Sequence, residues 1–264
     1  MTQPGLPVIV RSDKGMMQII MNRPEKKNAL TREMYALMAE ALEEAASNET
    51  IRLVSFKGMG GTFTSGNDLM DFLNQSITAE SPVFRFIETL VSFPKILCAQ
   101  VTGAAVGIGT TMLLHCDLVY ASEKAFFQLP FTKLGLCPEA ASSLLLPKVV
   151  GLTRAATLLI SGDAIDARTA EDWGLISAVF SEESFDAESE KRLLKVAAMP
   201  PDALRRTRAL LRKPLEKEMR DALLREVQHF EELLKGPEAA EALQAFVEKR
   251  PPDFSDFIWP PDHS

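Results

Sequence analysis

The sequence predicts an α/β core with a helical C-terminal part, and three features carry that prediction. Apolar runs of strand length alternate with helical patterns through the first half, small glycine-bearing turns separate them, and from about residue 139 onward the patterning is mainly helical. No internal repeat or low-complexity linker divides the chain. The C-terminal helices are therefore expected to pack on the core, with residues 1–199 as core and 200–264 as helical region.

Residues 8–21 read as two short strands around a turn at 13–15, and Asn22-Arg-Pro-Glu-Lys-Lys-Asn28 as a polar loop. Thr31 has the side chain of a helix N-cap, and Met34, Leu37, Met38, Ala41, Leu42 and Ala45 share one face of a helix reaching about residue 47. A buried strand is expected at 51–57, followed by a flexible turn at Gly58-Met-Gly-Gly61. A helix near 82–92 is broken by Phe93-Pro94-Lys95, and strands follow at 96–101, 118–121 and 125–129. Between the first two of these, residues 103–109 lead into a small-residue helix at 110–114. Later helical patterns cover 155–161, 166–173, 184–198, 201–211, 215–235 and 237–249. The tail beyond Arg250 holds too many prolines for regular structure.

The 264 residues are 46% hydrophobic and 25% charged, the composition of a soluble globular protein. A formal charge of −7 argues against a nucleic-acid partner. No apolar run reaches the roughly 18 residues of a membrane helix, which argues against a membrane partner. The start lacks the basic and apolar stretches of a secretory leader, and Pro-Asp-His-Ser264 is not a Ser-Lys-Leu peroxisomal address. Cys98, Cys116 and Cys137 are odd in number and scattered, so a reducing, cytoplasmic setting is expected. With His115, His229 and His263 they form no metal-ligand spacing, and His115–Cys116 reads as a buried or solvated pair.

Three segments have chemistry to offer. Phe63-Thr-Ser-Gly66-Asn67-Asp68-Leu69 follows a predicted strand, and its glycine lets backbone N–H groups approach an oxygen; an ordinary strand-to-helix turn is the alternative. Gly103-Ala-Ala-Val-Gly107-Ile-Gly109-Thr-Thr111 lacks the G-x-G-x-x-G order of a dinucleotide site. It fits a helix N-terminus able to stabilise negative charge, or simply close helix packing. In Leu134-Gly-Leu-Cys-Pro138-Glu139-Ala-Ala-Ser-Ser143 a single carboxylate stands at the start of an apolar helix, where complementing the helix dipole is the ordinary role of a Glu.

Taken together and in this order, these segments resemble the enoyl-CoA hydratase/isomerase, or crotonase, superfamily. The resemblance also includes Met21-Asn-Arg-Pro-Glu-Lys-Lys-Asn28-Ala-Leu30, Cys116-Asp-Leu-Val-Tyr-Ala-Ser122 and residues 162–178. Within the family, Ser65-Gly-Asn-Asp-Leu69, Ala105-Val-Gly-Ile108 and Pro138-Glu-Ala-Ala-Ser-Ser143 are most similar to the peroxisomal-type Δ3,Δ2-enoyl-CoA isomerases.

The resemblance implies a ClpP-like β-spiral core with surrounding helices, and a C-terminal helical region that assembles a homotrimer or hexamer. It implies an acyl-CoA substrate, no permanently bound cofactor, and coenzyme A present only as the thioester part of that substrate. Its oxyanion hole maps onto the backbone N–H groups of Asn67 and Ile108, and its isomerase base onto Glu139. The two glutamates of the hydratase branch map onto Thr111 and Phe131, neither of which is a carboxylate. Coenzyme A is expected along Lys26, Lys27, Ala29 and Leu30 and along Ser65, Asn67, Asp68 and Leu69. Lys26 and Lys27 either assist phosphates as point charges or are solvated loop lysines. Asp68 either orients the oxyanion loop or stabilises a turn. Met70, Phe72, Phe84 and Ile87 are acyl-pocket candidates, with core packing as the alternative for each. The activity implied is transposition of a 3-enoyl-CoA double bond to the 2-position. The rival readings are an enoyl-CoA hydratase or related lyase, and a non-catalytic acyl-CoA-binding scaffold.

Overall fold

The computed structural model describes residues 5–73 and 81–258, with the side chains of Phe72 and Leu73 excepted. The Phe72 acyl-pocket candidate and Trp259 of the tail lie outside these described features. The first turn falls where Asp-Lys-Gly interrupts the apolar pattern, so β1 (Val8–Asp13) and β2 (Met16–Met21) form an antiparallel hairpin. Thr31 caps α1 (Arg32–Ser47), its hydroxyl accepting from the Met34 N–H at 3.3 Å. β3 (Leu53–Gly58) leads through the 58–68 loop to the short α2 (Leu69–Leu73). Ser81 caps α3 (Pro82–Ser92), whose first residue is the proline suited to that position.

β4 (Ile96–Val101), β5 (Ala104–Val106), α4 (Ile108–Thr111), β6 (Leu118–Ser122) and β7 (Phe126–Gln128) complete the first half. The second half holds α5 (Ser142–Val150), α6 (Leu152–Ala156), β8 (Ile165–Asp166), α7 (Ala167–Asp172), β9 (Ala178–Phe180), α8 (Phe185–Ala197), α9 (Pro201–Arg212), α10 (Glu216–Leu234) and α11 (Pro237–Glu248). Two of these depart from the mainly helical reading of this half. β8 and β9 are strands of two and three residues, too short to carry a period of their own.

The strands form two sheets. The larger runs β1-β2-β3-β4-β6-β9, parallel after the first hairpin, and the smaller runs β5-β7-β8. Parallel strands covered on both faces read as nearly continuous apolar runs, as Ile-Leu-Cys-Ala-Gln-Val of β4 does with every residue buried and Gln100 its one polar member. Alternation then sorts the side chains. Met17, Ile19, Val54 and Phe56 face the main core under α1 and α3, whereas Met16, Leu53, Ile96 and Cys98 meet Phe185, Leu193 and Ala197 of α8.

α9 is fastened to the sheet by two arginines. Arg208 Nε and Arg212 Nε donate to the two oxygens of Asp117 at 2.7 and 3.0 Å, and the Leu97 N–H donates to the same carboxylate. Arg208 also donates to Phe93 O, and Arg212 to Leu114 O and Cys116 O. Beyond α11, Phe254 and Phe257 pack ring edge to ring face. Among the described residues no helix is long and apolar enough to cross a membrane.

Candidate active site

The two loops singled out from sequence are sewn to each other and to the 22–30 segment. Asn28, fully buried and left-handed at φ 53°, donates through Nδ2 to Met59 O and Thr62 O at 2.9 and 2.7 Å. Thr64 Oγ1 donates to Asn28 O, and the Ser65 N–H to Lys27 O. The Leu30 N–H donates to Gly66 O, and the Asp68 N–H to Leu30 O. This parallel bridge bonds the residues on either side of Asn67, which turns the Asn67 N–H away from Leu30. A second parallel bridge, Thr64 to Ala105, holds the 103–109 segment alongside.

Ile108 is the first residue of α4, so its N–H has no acceptor within the helix. The close approach depends on glycine. A Cβ on Gly66 would lie 3.0 Å from Val106 O, and one on Gly109 only 2.5 Å from Cγ2 of the buried Thr64. Gly109→Ala is expected to push α4 off the 64–66 loop, costing roughly 1–3 kcal/mol by overpacking. Urea unfolding measures the stability, and turnover should fall with it because the two loops separate.

Asp68 makes two contacts. Its Oδ2 pairs with Arg23 at 3.1 Å, while Oδ1 accepts from the Asp71 N–H at the start of α2. Lys26 and Lys27 are exposed beside these loops and have no carboxylate partner among the described residues. Ala29 is half-buried and Leu30 buried between the two strips of backbone.

Glu139 is not in the first turn of a helix. Ala140 and Ala141 both take left-handed backbone, φ 56° and 57°, and α5 begins only at Ser142. Glu139 thus sits on a loop ahead of the helix, where dipole complementarity does not explain it. Thr111 Oγ1, on α4, donates to Glu139 Oε1 at 2.8 Å. The carboxyl faces an apolar cavity of about 20 Å³, with Val83, Phe84 and Ile87 of α3 and Leu223, Val227 and Phe230 of α10 as walls. Burial raises its pKa, the Thr111 hydrogen bond opposes that rise, and the nearby Glu226 carboxyl adds to it; the outcome is about 7.

The Glu139 loop has further supports that the sequence alone does not reveal. His115 Nε2 lies 2.8 Å from Ala140 O, and since a carbonyl only accepts, that nitrogen carries the proton. Burial pushes His115 down to about 4, so it is a neutral donor near pH 7. Tyr35 on α1 donates its hydroxyl to Asn67 Oδ1, and its pKa is raised first by burial and then by the Glu139 charge. Glu226 of α10 reaches back to the Ala141 and Ser143 N–H groups. In the sequence, the signal for Glu226 was its place on the apolar stripe of Met219, Ala222, Leu223 and Phe230, where a carboxylate has no reason to be unless paired.

Of the acyl-pocket candidates, Phe84 and Ile87 line the Glu139 cavity, whereas Met70 is 61% exposed and does not. Thr111 is buried against Glu139, and Phe131 is buried in the main core. Among the described residues there is no cluster of three metal-ligating side chains.

A spiral of parallel strands with this loop pair and covering helices is the crotonase fold. A solved enoyl-CoA hydratase/isomerase from Pseudoalteromonas atlantica T6c superposes with a TM-score of 0.90 at 42% identity, covering 95% of this chain and all of that one. The family model described as enoyl-CoA hydratase/isomerase matches residues 11–257, and the chain belongs to that family. Enoyl-CoA delta isomerase 2 of Rattus norvegicus is 37% identical over 94% of this chain, which spans 65% of the rat protein's length. Enoyl-CoA delta isomerase 3, peroxisomal, of Mus musculus is 35% identical over 91% of this chain and 78% of its own.

Proposed function

We propose that the protein is an enzyme, a Δ3,Δ2-enoyl-CoA isomerase working through one carboxylate. The observation that carries this reading is the pairing of Glu139 with Thr111: a half-buried carboxyl, its pKa raised to about 7, with a hydroxyl where the hydratase branch places a carboxylate. Water addition needs an activated water and a proton donor, whereas a 1,3 shift needs one base that returns what it took.

In this mechanism the thioester oxygen of a 3-enoyl-CoA lies between the N–H groups of Asn67 and Ile108. Ionised Glu139 takes a proton from C2, and the electron pair delocalises into a dienolate whose negative oxygen those amides stabilise. The carboxylic acid formed on Glu139 then protonates C4, leaving the conjugated 2-enoyl-CoA and a regenerated carboxylate. Fixed donors act most strongly where charge develops, which is the dienolate stage rather than the bound substrate. The apolar walls from α3 and α10 keep the carboxyl dry enough to hold its pKa high.

Coenzyme A runs along Lys26, Lys27, Ala29 and Leu30 and along Ser65, Asn67, Asp68 and Leu69, as part of the substrate and with no other cofactor. The exposed Leu210, Leu211, Leu224, Phe246 and Val247 supply apolar surface for self-association through the 200–264 region as a trimer or hexamer.

The test supplies a 3-enoyl-CoA and a 2-enoyl-CoA separately and follows conjugated and hydrated products. Conjugation of the first without hydration of the second is expected. Comparable hydration of the 2-enoyl-CoA would give the hydratase reading instead, and binding without turnover the scaffold. Because the base must be ionised, kcat/KM for isomerisation should rise with pH through a midpoint near 7 and level off above it.

A further inference from the structure

We infer that Glu226, on the C-terminal helix α10, is a positioning residue for the reaction, clamping the loop that aims Glu139. This inference rests on the reading of Glu139 as the base. Both Glu226 oxygens are engaged on that loop, Oε2 accepting from the Ala141 N–H at 2.6 Å and Oε1 from the Ser143 N–H at 2.9 Å. The residue is only 6% exposed and lies 85 positions from Ala141 in sequence. A carboxylate is not left in such a place without use, since its desolvation must be offset by hydrogen bonds.

The loop needs the clamp. Two consecutive alanines in left-handed backbone are unfavourable, and glycine, the residue that tolerates this region, is absent from both positions. α5 also lacks a cap of its own, because its N-cap residue is Ala141, whose side chain cannot accept a hydrogen bond. Glu226 takes over that office from another helix. It thereby fixes the turn two residues after Glu139, while His115 holds Ala140 O from the opposite side.

Glu226 also touches the electrostatics of the base. Around the Glu139 carboxyl, α4 contributes Thr111, α1 Tyr35, its own loop Cys137 and α10 Glu226; the α3 residues on the cavity are apolar. Arg225 is the cation acting on Glu226. Of the groups acting on Glu139, burial and Glu226 favour its protonated form and Thr111 favours its ionised form.

The experiment compares wild type, Glu226→Gln, Glu226→Asp and Glu139→Gln on 3-enoyl-CoA, each as folded protein matched to wild type by circular dichroism and size. Glutamine keeps the volume but turns an amide nitrogen toward one of the two N–H donors. It should lower kcat about ten- to a hundredfold with KM nearly unchanged, the scale of an ångström-sized misplacement. Its acid limb should move to lower pH, which a purely structural cap would not cause. Aspartate keeps charge and both oxygens at a shorter reach, so kcat should fall less and the acid limb should stay at the wild-type pH. Wild-type kcat and an unmoved limb in Glu226→Gln would overturn the inference; if that variant does not fold, wild-type kcat in Glu226→Asp does so. Full activity in Glu139→Gln would instead overturn the assignment of the base.

Discussion

Glu139→Gln should lower isomerase turnover by roughly 10³-fold while leaving acyl-CoA binding in place, the scale expected for losing a general base. The amide still accepts from Thr111, so the loop should keep its shape, and the loss falls on proton transfer alone. The same variant has a second expected result with a definite sign. In the folded protein the Glu139 carboxyl has its pKa raised to about 7 from 4.5. The folded state therefore favours the protonated acid, and that contribution to stability is complete below about pH 4.5 and lost as pH rises through 7. Glutamine cannot ionise and escapes this loss. The variant should be more stable than wild type by roughly 3 kcal/mol at pH 8, with the difference vanishing toward pH 4. Urea unfolding at both pH values measures it; equal stability throughout would mean that the base is solvated in the folded protein. A site that gains stability when disarmed carries its cost in the ionised base.

Arg208→Ala should give the largest stability loss among single side-chain truncations of the α9 anchor, about 3 kcal/mol in urea unfolding. The side chain is 8% exposed and its partner Asp117 13%, so the pair is shielded from solvent. Removing the guanidinium strips one donor from Asp117 and leaves the Phe93 carbonyl without it. Arg212 and the Leu97 N–H still hold Asp117, which is why the figure stays at the low end for a broken buried pair. A loss below about 1 kcal/mol would place the anchoring of α9 in its apolar contacts instead.

Much of this molecule can be read from local pattern, and the reasons are visible residue by residue. α1 was legible because Thr31 marks its start and six apolar residues repeat on one face. The 96–101 strand was legible because a strand buried on both faces is apolar nearly throughout, Gln100 being the polar exception that bonds Ser55 and Ser189. β8 and β9 were not legible, since two or three residues become strand only through their neighbours: Phe126 and Phe127 for one, Tyr120 to Ser122 for the other. Glu139 could be picked out as a lone carboxylate in an apolar setting, but its loop could not. Pro-Glu-Ala-Ala-Ser-Ser reads as a helix start, and only contacts from α10 and His115 account for left-handed alanines there. His115 gave no sign beyond adjacency to Cys116, because its partner is a backbone carbonyl that no side-chain pattern encodes.

The reach of Glu226 to Ala141 and Ser143 has a consequence for how the protein is made. A chain emerging from the ribosome folds from its N-terminal end, and the sheet and the 58–68 and 103–109 loops can form early. The loop at 138–143 is translated well before α10, so its two left-handed alanines, which His115 can already hold, lack the Glu226 contacts until the last quarter of the chain is out. The Glu139 loop therefore takes its final form late in biosynthesis, after the architecture, and a nascent chain is folded in outline before this loop is set.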